Sequence, residues 1–105
     1  NNMNQINNMD EANKVINKDF VMVIAKTHTC TICNTILNSL EHNIPNLSDI
    51  EIHNIYIDEV DEFRGQHTIF SVPSVLIFSN GKELLRESRY INYSKIQRMI
   101  GLYTS

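Results

Sequence analysis

Both cysteines of the chain stand in one motif, Cys30-Thr31-Ile32-Cys33. The run Val21-Met22-Val23-Ile24-Ala25 leads into it. Its β-branched residues favour a strand, and it is too short to cross a membrane. Beyond it, Cys33, Ile36, Leu37, Leu40 and Ile44 recur at helical spacing and share one face. The pattern predicts a helix over residues 30–43, with Pro45 as its stop and Thr29 as its N-cap. Cys30 would then sit where free backbone N–H groups and the helix dipole favour a thiolate. Cys33 lies a turn deeper on the apolar stripe and is expected to be shielded. One exposed, acidified sulfur beside one buried sulfur is a dithiol that can exchange with a partner's disulfide. Zinc is the competing chemistry for such a pair, through Cys30, Cys33, His28 and one further ligand. No second cysteine pair is present to complete it, so no metal is expected.

The bulk properties narrow the class. A chain of 105 residues can hold one modest core, and a single domain over residues 1–105 is expected. Nine basic against twelve acidic residues give a net charge of −3, which offers no general attraction for nucleic acid or an anionic membrane. Residues 1–7 are Asn-rich and carry neither a basic start nor an apolar stretch. They are expected to be a flexible tail, in part a cloning remnant ahead of Met3, rather than a secretory signal. Two cysteines are too few to staple a small secreted fold, so a cytoplasmic dithiol is expected.

The elements that must carry the motif follow in order. Asn8 and Glu11 have capping-box spacing before a short helix with Met9, Ala12, Val15 and Ile16 on one face. A strand is expected over residues 20–26, then the central helix, then a polar loop over residues 45–49. Residues 50–57 read as a strand buried at its far end. Asp58 is expected to cap the next helix, with Glu59, Asp61 and Glu62 in its first turn and Val60, Phe63 and His67 inward. A strand follows over residues 70–78, then Asn80-Gly81 as a hairpin turn, and an edge strand over residues 82–87. Tyr93, Ile96, Met99, Ile100 and Tyr103 close the chain as an amphipathic helix. The alternation implies an α/β fold, a mixed central sheet with helices on both faces.

This order, with Cys-x-x-Cys opening the first long helix after a strand, resembles the thioredoxin family over residues 6–104. Three features carry the resemblance: the cysteine motif, Tyr56-Ile57-Asp58 at the end of the middle strand, and Val72-Pro73 ahead of a strand and Asn80-Gly81. It implies a thioredoxin-like fold and a thiol–disulfide oxidoreductase that reduces disulfides in client proteins. Cys30 would be the nucleophile and Cys33 the resolving thiol, with no cofactor beyond the dithiol. A separate thiol reductase would recycle it, and a monomer without nucleic-acid or membrane partners is expected. The resemblance also implies that Val72–Pro73 is cis. The backbone of Val72 would then pair with an extended client segment beside Cys30.

Departures from the pattern bear on mechanism. Thr31-Ile32 replace the family's Gly-Pro, and Thr29 replaces its Trp. Its buried Asp aligns with Ile24, and the lysine paired with that Asp aligns with Asn54. No glycine appears in Arg89-Tyr90-Ile91-Asn92. Slower exchange, or a potential tuned to a particular partner, would follow. The alternative function is a partner-restricted redox-sensing or binding module with little turnover. Around the motif, Ile32 is read as an apolar contact for clients, or else as a core residue. Tyr90 and Ile91 are read as the far wall of the groove. His28 could lower the thiol pKa as a cation, although a solvated loop histidine is the favoured reading. Lys26 is expected to reach solvent, and His42, His53 and His67 are assigned no role.

Overall fold

The computed structural model describes residues 4–104. Five strands form one mixed sheet: β1 (Asn4–Ile6), β2 (Val21–Lys26), β3 (Glu51–Tyr56), β4 (Ser74–Ser79) and β5 (Lys82–Ser88), in the order β1-β3-β2-β4-β5. β3 runs parallel to both β1 and β2, whereas β4 runs antiparallel to β2 and to β5. Helices α1 (Met9–Ile16), α2 (Ile36–Asn43), α3 (Asp61–His67) and α4 (Tyr93–Thr104) cover the two faces.

β2 is central and buried at every position, which explains its unbroken apolar run. Its alternate residues feed two cores. Val21, Val23 and Ala25 pack with α1 and α3 through Ala12, Val15, Val60 and Phe63. Met22 and Ile24 pack with α2 and α4 through Ile36, Leu40, Ile96 and Ile100. Each fully buried aliphatic side chain contributes roughly 1.5–3 kcal/mol of transfer free energy.

Several expectations need correction. The tail expected to be flexible over residues 1–7 contains β1, whose Asn4, Gln5 and Ile6 lie opposite His53, Asn54 and Ile55. Residues 1–3 of that expectation lie outside the described residues. At α1, Asn8 Oδ1 accepts from the Glu11 N–H at 2.9 Å, as the capping box requires, but Glu11 Oε1 accepts from Asn7 rather than Asn8. The loop over residues 45–49 contains a 3-10 turn, Leu47–Asp49, that buries Leu47. The strand expected from residue 70 begins only at Ser74, because the segment before it is shaped by the proline.

The hairpin turn does more than join β4 and β5. Asn80 and Gly81 both have positive φ, 52° and 84°. Their N–H groups donate to the carbonyls of Lys18 and Ile16, at 2.7 and 2.8 Å. The turn thereby satisfies carbonyls at the end of α1 and fixes that helix to the sheet.

Candidate active site

The cysteine motif lies beyond the C-terminal end of β2. Cys30 is the N-cap of a 3-10 helix, Thr31–Thr35, which passes directly into α2. The continuous α-helix expected over residues 30–43 is thus a tight 3-10 turn followed by two α turns. No side chain caps the 3-10 turn, so Thr29 does not act as its cap. The Thr29 hydroxyl lies 3.5 Å from that of Thr27 instead. The Cys33 N–H donates to the Cys30 carbonyl at 3.2 Å and folds the motif back on itself. Cys30 and Cys33 are joined as a disulfide, with Cα atoms 5.4 Å apart. Cys33 is 1% exposed, whereas Cys30 is only partly covered. The disulfide therefore has one approachable sulfur and one shielded sulfur.

The peptide bond between Val72 and Pro73 is cis. Ser74 braces the loop that carries it, its hydroxyl lying 2.6 Å from the Ser71 carbonyl and 2.8 Å from the Ser88 hydroxyl on β5. A cavity of about 290 Å³ runs from Ile32 past Pro73 to Arg89, Tyr90 and Ile91. Ile32 is 65% exposed, which removes the core reading of that residue. Tyr90 is 91% exposed. Arg89 supplies a positive φ, 64°, in this glycine-free loop. A larger cleft of about 690 Å³ lies on the far side of α2, among Leu37, Glu41, Asp49 and Ile52, and holds neither cysteine nor Pro73. Size does not mark the reactive site; the disulfide does.

His28 is the exposed loop histidine expected, but it is not without partners. Its backbone N–H donates to Asp58 Oδ2 at 3.1 Å, and its Nδ1 lies 3.0 Å from the same oxygen. Its Nε2 lies 3.2 Å from Glu59 Oε2, and its ring stacks on Tyr56 with centroids 3.9 Å apart. The residue clamps the loop after β2 to the loop after β3. Asp58 therefore does not cap α3, which begins after Val60 without a side-chain cap. Desolvation acts to raise the Asp58 carboxyl, but hydrogen bonds from the His28 backbone and ring outweigh it and hold it below the usual range.

Lys26, as a residue, is only 7% exposed, so its stem is covered, and its Nζ lies 5.6 Å from the centroid of the Tyr56 ring. Ile24 is fully buried and pairs with Asn54, itself 6% exposed. The two positions at which the family pattern has an Asp and a Lys are thus adjacent, and neither ionises. Among the described residues, no group of three His, Cys, Asp or Glu is arranged to hold a metal ion, and no helix is long and apolar enough to cross a membrane.

A partly exposed sulfur, a buried partner and a cis-proline loop thus stand together at one end of the central sheet. The family model for thioredoxin matches residues 3–101, and the chain belongs to the thioredoxin family. A curated relative, the thioredoxin-like protein YdfQ of Bacillus subtilis, is 31% identical over 71 residues, which is 68% of this chain and 63% of the relative. The chain therefore spans less than two thirds of that relative's length. Among solved structures, Malassezia sympodialis thioredoxin superposes with a TM-score of 0.79 at 20% identity, covering 98% of this chain and 91% of that one. Fasciola hepatica thioredoxin superposes with a TM-score of 0.77 at 21% identity, covering 96% of this chain and 99% of that one. At such identities these structures speak to the fold. The family works on disulfide substrates through a cysteine dithiol.

Proposed function

We propose that the protein reduces disulfides in client proteins, with Cys30 as nucleophile and Cys33 as resolving thiol. The observation that carries this reading is the unequal exposure of two sulfurs already joined, beside an open groove. In the reduced protein, the Cys30 thiolate attacks a client disulfide and forms a mixed disulfide, releasing one client sulfur as thiolate. Cys33 then attacks the Cys30 sulfur, the second client sulfur leaves, and the Cys30–Cys33 disulfide forms. Two electrons pass from the dithiol to the client, and a thiol reductase restores the dithiol. The exposed Ile32 and Tyr90, with Val72 and Pro73, offer an apolar surface and backbone groups to an extended client segment. A reducing compartment such as the cytoplasm suits this direction of transfer.

A partner-restricted redox module is the second reading. The buried Ile24–Asn54 pair favours it, because no ionisable group stands there to handle the proton of the inner thiol. Insulin disulfide reduction with dithiothreitol as electron source separates the two. Acceleration by the wild type that Cys30→Ser lowers at least ~100-fold, toward the uncatalysed rate, supports the reductase. A wild type that does not accelerate the reaction, although its dithiol oxidises and reduces reversibly, contradicts it.

A further inference from the structure

The cavity that runs from Ile32 past Pro73 to Tyr90 and Tyr93 is walled by uncharged side chains, apart from Arg89. Arg89 is exposed, and its guanidinium has no hydrogen-bond or ion-pair partner among the described residues. The carboxylate nearest in sequence, Glu87, is committed elsewhere. Its Oε2 lies 3.5 Å from Lys95 Nζ, and its Oε1 accepts from the Asn92 N–H at 3.0 Å. Asp58 and Glu59 hold His28 at 3.0 and 3.2 Å and line no part of the groove. The groove therefore carries an unopposed positive charge in a chain whose net charge is −3. The backbone at Arg89 has φ of 64°, which glycine, asparagine or aspartate adopts more readily. The turn by itself does not call for an arginine.

We propose that Arg89 is a specificity-determining residue that pairs with an Asp or Glu carboxylate two or three residues from the client cysteine. This rests on the reading of Cys30 as the thiol that attacks a client disulfide. A cavity of about 290 Å³ is roughly 8 Å across, which holds about two residues of extended chain at roughly 3.3 Å each. A segment engaged beside Ile32 thus brings a near neighbour of its cysteine to the guanidinium. The paired N–H donors of that group match the two oxygens of a carboxylate. Ile32 and Tyr90, exposed at 65% and 91%, flank the path with apolar surface, and the water they displace would otherwise weaken the pair. Arg89 makes and breaks no bond; the sulfur exchange proceeds at Cys30 as described. The ion pair favours the encounter and holds the segment, whereas a lysine at the same place is repelled.

The test uses reduced Cys33→Ser protein, in which the mixed disulfide persists, and three disulfide-linked peptide homodimers. Each peptide carries one cysteine, with Glu, Gln or Lys at the second and third residues on both sides. Rates of adduct formation are read by mass spectrometry with Arg89 in place, with Arg89→Asn and with Arg89→Asp, both substitutes tolerating a positive φ. Dividing each rate by that of the Gln peptide, and comparing across the three proteins, cancels the intrinsic reactivity of each disulfide. Adduct formation with the Gln peptide also shows that a variant is folded and reactive. The Glu/Gln ratio is expected to fall at least ~3-fold in Arg89→Asn and further in Arg89→Asp, while the Lys/Gln ratio rises in the same order. Ratios that do not change with residue 89 overturn the proposal and leave client reduction standing. No adduct with any peptide, in a protein whose Cys30 thiol titrates as free, overturns the reading of the site together with the proposal.

Discussion

At the scale of single residues, the cysteine pair was readable because its chemistry and spacing stand next to each other in the chain. Its surroundings were not. His28 and Asp58 meet across 30 positions, and the stacking of His28 on Tyr56 has no local signature. The covering of Lys26 is likewise not local: the Tyr56 ring beside its Nζ belongs to the residue opposite it in register on β3. His67 faces inward, as its spacing from Phe63 implied. Its ring packs against Phe63 and Phe78 at 4.3 and 5.4 Å, and its Nε2 is buried without a hydrogen-bond partner among the described residues. Desolvation pushes its pKa below 6.5; Arg86 adds to this and Glu83 opposes it. A depressed folded-state pKa means that the unfolded chain binds the proton more readily. Stability is therefore full above 6.5 and falls as pH drops from there through the folded-state value. His67→Leu should flatten this part of the stability–pH curve in urea titrations, while an unchanged slope would assign the effect elsewhere.

At the scale of elements, the sheet and its four helices were legible, since period-two and period-3.6 patterns and the Asn80-Gly81 turn mark them. Their ends were less so. Asn92 caps α4 by accepting from the Lys95 N–H at 3.1 Å, and Glu87 Oε1 accepts from the Asn92 N–H at 3.0 Å, an arrangement that needs β5 already in place. The three residues of β1 carry too little pattern to be seen without β3 beside them. Arg86 ties β5 to the end of α3 through the carbonyls of His67 and Thr68, at 2.6 and 3.0 Å, a contact again invisible locally. The hairpin is where sequence and tertiary structure agree most fully. A Cβ at Gly81 would lie 2.7 Å from Asn17 Oδ1, and φ there is +84°. Gly81→Ala should cost about 1–3 kcal/mol by chemical denaturation. A loss under about 0.5 kcal/mol, typical of a neutral surface change, would contradict the role assigned to the turn.

At the scale of the whole molecule, the two cores hold β2 rigidly at the centre and leave the chemistry at its C-terminal tip. The reactive turn, the cis-proline loop and the Arg89–Ile91 segment come from three distant parts of the chain. The sheet order β2-β4-β5 brings them to one edge of the molecule, and Ser74 and His28 pin the loops to neighbouring elements. The central claim is that this assembled edge exchanges disulfides through Cys30 first. Its most direct measurement is to incubate reduced Cys33→Ser protein with a disulfide-containing client and read the adduct by mass spectrometry under non-reducing conditions. A stable mixed disulfide mapped to Cys30, absent from Cys30→Ser, is the predicted result. An adduct on Cys33 in the Cys30→Ser protein at an equal rate, or no adduct with either, would contradict the account.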